Sequence, residues 1–176
     1  MINKILEYDK EFNEAMFYSY VGNIFVKLYT SVMFKDLKDV KHFLNDNLYS
    51  KYQSIVNDLI DKNVTEMYDE LNVSSSKITN VKIENNKIIV TVSLKAKYIN
   101  YIIDDDGNII SGIDNHRIEK DYIITLEREI GSKTQGVQRY CESCGASIDI
   151  NKSGVCPYCR TTFNQAKHDY IITNIN

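Results

Sequence analysis

The chain has no tryptophan, a single proline (Pro157), seven glycines and three histidines among 176 residues. With so little proline and glycine it contains no Pro-rich linker and no low-complexity tract, and it shows no internal repeat. Positive charge is not in excess. Lys and Arg total 21 against 24 Asp and Glu, a net charge of −3, which argues against a nucleic-acid binder working by bulk electrostatics. Long apolar runs are missing as well. The longest early charge-free stretch, Ala15 to Val26, has twelve residues. At ~1.5 Å per residue it falls well short of a ~30 Å hydrocarbon layer. The N-terminus MINKILEYDKEFNEA is charged and has no apolar core before a small-residue cleavage site, so no secretory signal is expected. There is no GxGxxG, phosphate loop, GxSxG or HExxH pattern. The expectation is a cytoplasmic, soluble protein in which thiols stay reduced.

Apolar residues make up 43% and charged residues 26%, values of an ordinary folded chain. At 20.4 kDa the length suits one domain with a small appendage. Charge is uneven along it. Residues 1–72 carry eight lysines against twelve acidic residues, net −4, whereas 73–136 carry nine of each sign and 137–168 are net +2.

Residues 1–72 read as helices. Phe17, Val21, Ile24, Phe25, Leu28 and Val32 form one apolar stripe of a long helix. Its charge-free face could dock on a membrane surface or a partner, but core packing is the preferred reading. Asp36 and Asp39 predict the start of a second helix with Leu37, Val40, Phe43 and Leu44 on its core side. Leu48, Tyr52, Ile55, Val56, Leu59 and Ile60 mark a third. Asn63 with Glu66 resembles a capping box and predicts a short fourth helix ending near Asn72.

From residue 76 the period switches to two. Val81 and Ile83 lead into Glu84-Asn85-Asn86-Lys87, a tight hairpin whose asparagines can take positive φ. Ile88, Val90, Val92, Leu94, Ala96 and Tyr98 then alternate with wetter residues. Asp106-Gly107 turns the chain, Ile118 to Ile130 gives the next strand, and Asp169 to Ile175 a closing one. Helices followed by antiparallel strands make the class α+β. Val90, Val92, Leu94, Ala96, Tyr122, Ile124 and Leu126 form the predicted inward face. It offers no acid–base pair for catalysis, only tyrosine, to which Tyr98 and Tyr101 could add hydroxyls.

All four cysteines fall in YCESCGASIDINKSGVCPYCRT, Tyr140 to Thr161. Cys141 with Cys144 and Cys156 with Cys159 make two CxxC pairs, eleven residues apart. Each pair can direct two thiolates at one ion, and Gly145 stands where the first turn needs positive φ. Four sulfurs in a closed tetrahedral set suit structural Zn²⁺, with no open position for activating water. The remaining alternatives for the four cysteines are iron in place of zinc and a reversible thiol switch. The tetrad Cys156-Pro157-Tyr158-Cys159 also matches glutaredoxin-type redox motifs, but no amphipathic helix follows it. Tyr140, Tyr158, Arg139 and Arg160 could form a partner surface; the plainer reading, that they are side chains of the knuckles, is preferred. Arg139, Lys152, Arg160 and Lys167 are too few for nucleic-acid binding without an aromatic-basic pattern. His42 is expected at a core boundary, and His116 and His168 beside strands; His168 is at most a spare metal ligand. Asp104-Asp105-Asp106-Gly107 fails as a calcium loop, because Ile102 and Ile113 would occupy ligand positions.

Several stretches carry a family resemblance. They are Asp9-Lys10-Glu11-Phe12, Lys35-Asp36-Leu37-Lys38-Asp39-Val40 before Leu48-Tyr49, Ile88-Ile89-Val90-Thr91-Val92, Asp106-Gly107-Asn108, and Ile123 to Arg128. With Cys141–Cys159 before the last strand, the chain resembles a bacterial Tim-forty-four-like domain with an inserted zinc ribbon. The resemblance implies a cone-shaped fold similar to nuclear transport factor two, with N-terminal helices on a curved antiparallel sheet. It divides the chain into an α+β domain, 1–136 plus 168–176, and a ribbon, 137–167. It further implies a non-enzymatic adaptor linked to protein transport, with a protein partner and peripheral membrane association. The acidic helical part speaks against direct binding to anionic lipid, and exposed sheet edges are compatible with a homodimer. The alternatives are a small-molecule or enzymatic cone pocket and a nucleic-acid-binding ribbon.

Overall fold

The computed structural model describes residues 1–131, 138–141, 143–149, 156–161 and 170–176. Three helices come first: α1 (Ile2–Leu6), α2 (Glu14–Met33) and α3 (Asp46–Asp61), with a 3₁₀ helix, Lys38–Phe43, between the last two. The strands are β1 (Val64–Glu84), β2 (Lys87–Asp104), β3 (Ile109–Glu129), β4 (Gln138–Tyr140), β5 (Ser147–Asp149) and β6 (Ile171–Ile175). β1, β2, β3 and β6 form one curved antiparallel sheet in that spatial order, and β4 pairs with β5. The architecture is the expected α+β arrangement, with the cysteine cluster ahead of the last strand.

Two asparagines start the long helices. Asn13 Oδ1 accepts from the Met16 amide at 3.0 Å, and Asn45 Oδ1 from the Leu48 amide at 2.9 Å. The stripe Phe17, Val21, Ile24, Phe25, Leu28 and Val32 is buried on the sheet, so core packing accounts for it. Tyr18 ties α2 to the sheet edge: its hydroxyl donates to Glu14 at 2.6 Å and accepts from the Ile78 amide at 3.1 Å.

Two helix expectations are corrected. Asp36 opens no α-helix; its Oδ1 accepts from the Lys38 amide at 3.1 Å, and a six-residue 3₁₀ helix follows. Leu37, Val40, Phe43 and Leu44 are buried as expected. Asn45 must already cap α3, so only the tighter helix, which stacks Val40 over Phe43, fits the span. The fourth helix does not exist. Asn63 has φ +54° and its amide bonds the Ile60 carbonyl at 3.0 Å, so it terminates α3 instead of starting a helix. The next residue begins β1, paired from Val64↔Asp104 to Asp69↔Ile99. Pairing with β2 outweighs the local helical signal.

The sheet is longer than the periodicity indicated. β1 begins at 64 instead of 76, and β3 at 109 instead of 118. Asn85 and Asn86 take φ +49° and +61° in the hairpin that pairs Glu84 with Lys87. Three register shifts curve β1. Ser74 and Thr79, left out of the ladder, donate their hydroxyls to the Lys95 and Thr91 carbonyls, both at 3.2 Å. At the far end Asp104 Oδ1 accepts from the Asp106 and Asn108 amides at 3.0 and 2.8 Å. Those bonds, the Asn108 side chain first, hold its carboxyl below the usual range; its role is the turn, not calcium.

The expected inward face is the core. Val90, Val92, Leu94, Ala96, Tyr122, Ile124 and Leu126 are all buried against α2 and α3. The unanticipated α1 adds Ile5, fully buried.

Candidate metal centre and the cleft of the sheet

The cysteine lobe is built from two copies of one turn. Cys141 N–H donates to Ala146 O and Gly145 N–H to Cys141 O, each at 2.8 Å. Fifteen residues on, Cys156 N–H donates to Thr161 O and Arg160 N–H to Cys156 O, each at 2.9 Å. The residue after each second cysteine is left-handed, Gly145 at φ +70° and Arg160 at +62°. Glycine accepts that conformation freely; the arginine accepts it at a cost.

The turns face one another, and the four Sγ atoms lie within 4.8 Å of each other. Cys141 to Cys159 is 3.5 Å and Cys144 to Cys156 is 3.7 Å. A tetrahedron of ~2.3 Å metal–sulfur bonds has edges of about 3.8 Å, so the set could hold a thiophilic metal ion. Cys141 and Cys156 are buried, Cys144 and Cys159 exposed. The Thr161 hydroxyl, 3.1 Å from the Cys159 sulfur, together with the Thr161 backbone, draws the Cys159 thiol down to about 6. Cys144 is pushed up to about 12: the Ala146 amide favours its thiolate, but desolvation and the three neighbouring sulfurs outweigh it. Without a cation the cluster thus favours one thiolate over several, and a bound cation would relieve that repulsion.

Residues 156–161 contain no helix, so the Cys156–Cys159 tetrad lacks the helix N-terminus that activates a glutaredoxin-type thiol. Tyr158 and Arg160 are exposed. For Arg139 and Tyr140 only the backbone is described, and Lys152, Lys167 and His168 lie outside the described residues. His42 stacks on Phe43 at 4.0 Å and His116 sits on an exposed stretch of β3. Among the described residues the four cysteines are the one group suited to a metal.

A second feature lies on the concave side of the sheet. Tyr29, Tyr52, Tyr68 and Tyr122, with Val32, Ile55 and Ile175, line a cleft of about 270 Å³. Tyr52 and Tyr29 hydroxyls are 3.5 Å apart, and those of Tyr98 and Tyr122 share a 2.7 Å hydrogen bond. Burial raises the pKa of all five phenols, including Tyr68 and Tyr98, so at neutral pH they are donors and not bases. Tyr101, three residues beyond Tyr98, instead donates to Asp69 at 2.6 Å. One acidic side chain lines the cleft: Glu66 accepts from Asn100 Nδ2 at 3.2 Å, and its charge adds to burial in raising the Tyr68 pKa. Lys51 and Lys120 stand at the rim. Reading 63–72 as a helix hid Glu66 and Tyr68. The β-branched pair Val64-Thr65 and the period-two spacing of Glu66 and Tyr68 were the available strand signals.

No curated protein sequence matches the chain. One similar solved structure is the intermembrane space region of chloroplast protein ARC6, at 10% identity and TM-score 0.37, covering 88% of this chain and 90% of that one. Another is CagV, a VirB8 homolog of T4SS from Helicobacter pylori strain 26695, at 14% identity and TM-score 0.37, covering 93% and 96%. The family model of the Tim44-like domain matches residues 1–137, most of the chain and all of β1 to β3, and stops short of the first cysteine. The chain therefore belongs to the Tim44-like domain family.

Proposed function

We propose that this chain is a non-enzymatic protein-docking module for a transport-linked or membrane-associated assembly. In this reading residues 137–167 form a lobe folded around one structural Zn²⁺ held by Cys141, Cys144, Cys156 and Cys159. The observation that carries it is the convergence of four sulfurs from two matched turns. A set closed by four protein ligands offers no coordination position for substrate, so its metal would supply folding free energy in place of chemistry. Iron would fit the same four sulfurs. Membership of the Tim44-like family supports a protein-interaction role at the family level. The cleft supports the non-enzymatic half of the reading: its phenols stay protonated, and Glu66 is engaged by Asn100. The net −4 of residues 1–72 disfavours direct docking on anionic lipid, so attachment to a membrane would run through a protein. A homodimer, which would use a sheet edge, is the competing assembly.

Crosslinking and mass spectrometry of the tagged protein in its own cells tests the docking reading, with elemental analysis of the same sample. The expected result is a specific protein crosslink and one zinc per chain. Cys156→Ser should release the metal and open 137–167 to proteolysis while residues 1–131 stay folded. Only self-crosslinks, or a preparation free of both zinc and iron, would sink the corresponding half.

A further inference from the structure

We propose that the tyrosine-lined cleft between α2, α3 and the sheet binds a small single-ring carboxylate, its charge held by Lys51 and Lys120. The inference goes beyond the docking reading and stands whether or not the chain docks a protein.

Charge decides the sign of the ligand. Glu66, the one acidic side chain lining the cleft, accepts a hydrogen bond from Asn100 Nδ2 at 3.2 Å, so part of its charge is compensated from within. The two rim ammonium groups are not compensated in the same way. Lys51 Nζ donates to the Ile175 carbonyl at 3.2 Å, and Lys120 Nζ lies 5.2 Å from the centre of the Tyr122 ring. Among the described residues neither forms a salt bridge to an Asp or Glu side chain. A carboxylate entering the cleft meets two lining ammonium groups, each able to donate a charge-assisted hydrogen bond.

The walls decide its body. Tyr29, Tyr52 and Tyr122 are buried and Tyr68 half-buried, and their rings offer faces and edges for a planar guest. Phenols that remain protonated can donate to the guest but cannot repel it by charge. Drug-sized ligands need roughly 300–1,000 Å³; at about 270 Å³ the cleft admits one ring with its substituent. Sequence periodicity alone would not have located this site, because Glu66 and Tyr68 lie in the stretch that reads as a helix.

Three probes of nearly equal size and different charge test the proposal on the full chain: benzoate, benzyl alcohol and benzylamine. Calorimetry and tyrosine fluorescence read binding, the latter without tryptophan interference. Benzoate should bind most tightly, benzylamine least. Lys51→Gln and Lys120→Gln, both at exposed positions, should each raise the benzoate Kd about tenfold. Lys77→Gln, on the distant edge of β1, should change nothing. Circular dichroism and the melting temperature check that each variant is folded. No measurable benzoate binding, tighter binding of benzylamine, or a benzoate Kd indifferent to both rim substitutions in folded protein would overturn the assignment.

Discussion

Asp9 and Arg128, 119 residues apart, form an ion pair buried on both sides, at 6% and 3% exposure. Asp9 lies in the segment before α2 and Arg128 near the end of β3, so the pair fastens the helical layer to the sheet. Tyr170, just ahead of β6, brings its ring to 5.7 Å from the guanidinium. The two residues sit in separate stretches that carry the family resemblance, and folding brings those stretches together.

Removing one partner should therefore be costly. Arg128→Met and Asp9→Asn each remove one member of this buried ion pair, each expected to lose about 3–5 kcal/mol of unfolding free energy. Urea titration followed by circular dichroism measures this. The double variant should lose clearly less than the two single losses combined, because both single changes remove the same interaction. Strict additivity would show that the two groups do not act as a pair.

The hairpin between β2 and β3 depends on Gly112. It has φ +83°, and a Cβ there would stand 2.7 Å from the Asn100 carbonyl oxygen and 2.8 Å from Tyr101 Cα. Both obstacles are backbone, so neither can swing aside. Gly112→Ala should cost about 2 kcal/mol or more, and hydrogen exchange should rise first in 99–104 and 109–118. An unchanged melting temperature would mean that the bulge opposite Tyr101 relaxes freely.

The middle of the sheet was legible because one face of each strand is dry. From Val90 to Ala96 and Tyr122 to Leu126 the alternation leaves a single register that buries every apolar residue. The cysteine pairs were legible for another reason: the spacing of a CxxC turn is set by local geometry, whatever surrounds it. Asn63 was misread because an asparagine can either open a helix or close the preceding one in a left-handed conformation. The choice depends on whether residues 99–104 are there to pair with 64–69, which no local window contains. Glu66 fell with it, and so did the view of the cleft as purely apolar and phenolic.

The matched knuckles predict an asymmetric response to substitution. A Cβ on Gly145 meets nothing within 4 Å, so Gly145→Ala tests backbone conformation alone. It should weaken metal retention by about 1 kcal/mol, the cost of holding a non-glycine residue left-handed. Arg160→Gly should act in the opposite direction, because it removes that cost from the second turn. Competition with a chromogenic chelator measures both. Equal weakening by the two changes would show that the left-handed positions do not govern the site.

The buried phenols set the alkaline limit of stability. Tyr29, Tyr52, Tyr68, Tyr98, Tyr122 and Tyr170 all have their pKa raised, with burial as the leading cause. A phenol that ionises at ~10 when unfolded but later when folded binds its proton more firmly in the native state. Its contribution is complete below pH ~10 and shrinks as pH rises above it, since only the unfolded chain then releases the proton. Absorbance at the tyrosinate band should resolve two phases. The later one, from these six phenols, should coincide with loss of the circular dichroism signal. Tyr98→Phe, which breaks the 2.7 Å bond to Tyr122, should bring that second phase to lower pH. Full titration of all tyrosines in one phase, with secondary structure retained, would mean that the phenol cluster is open to water.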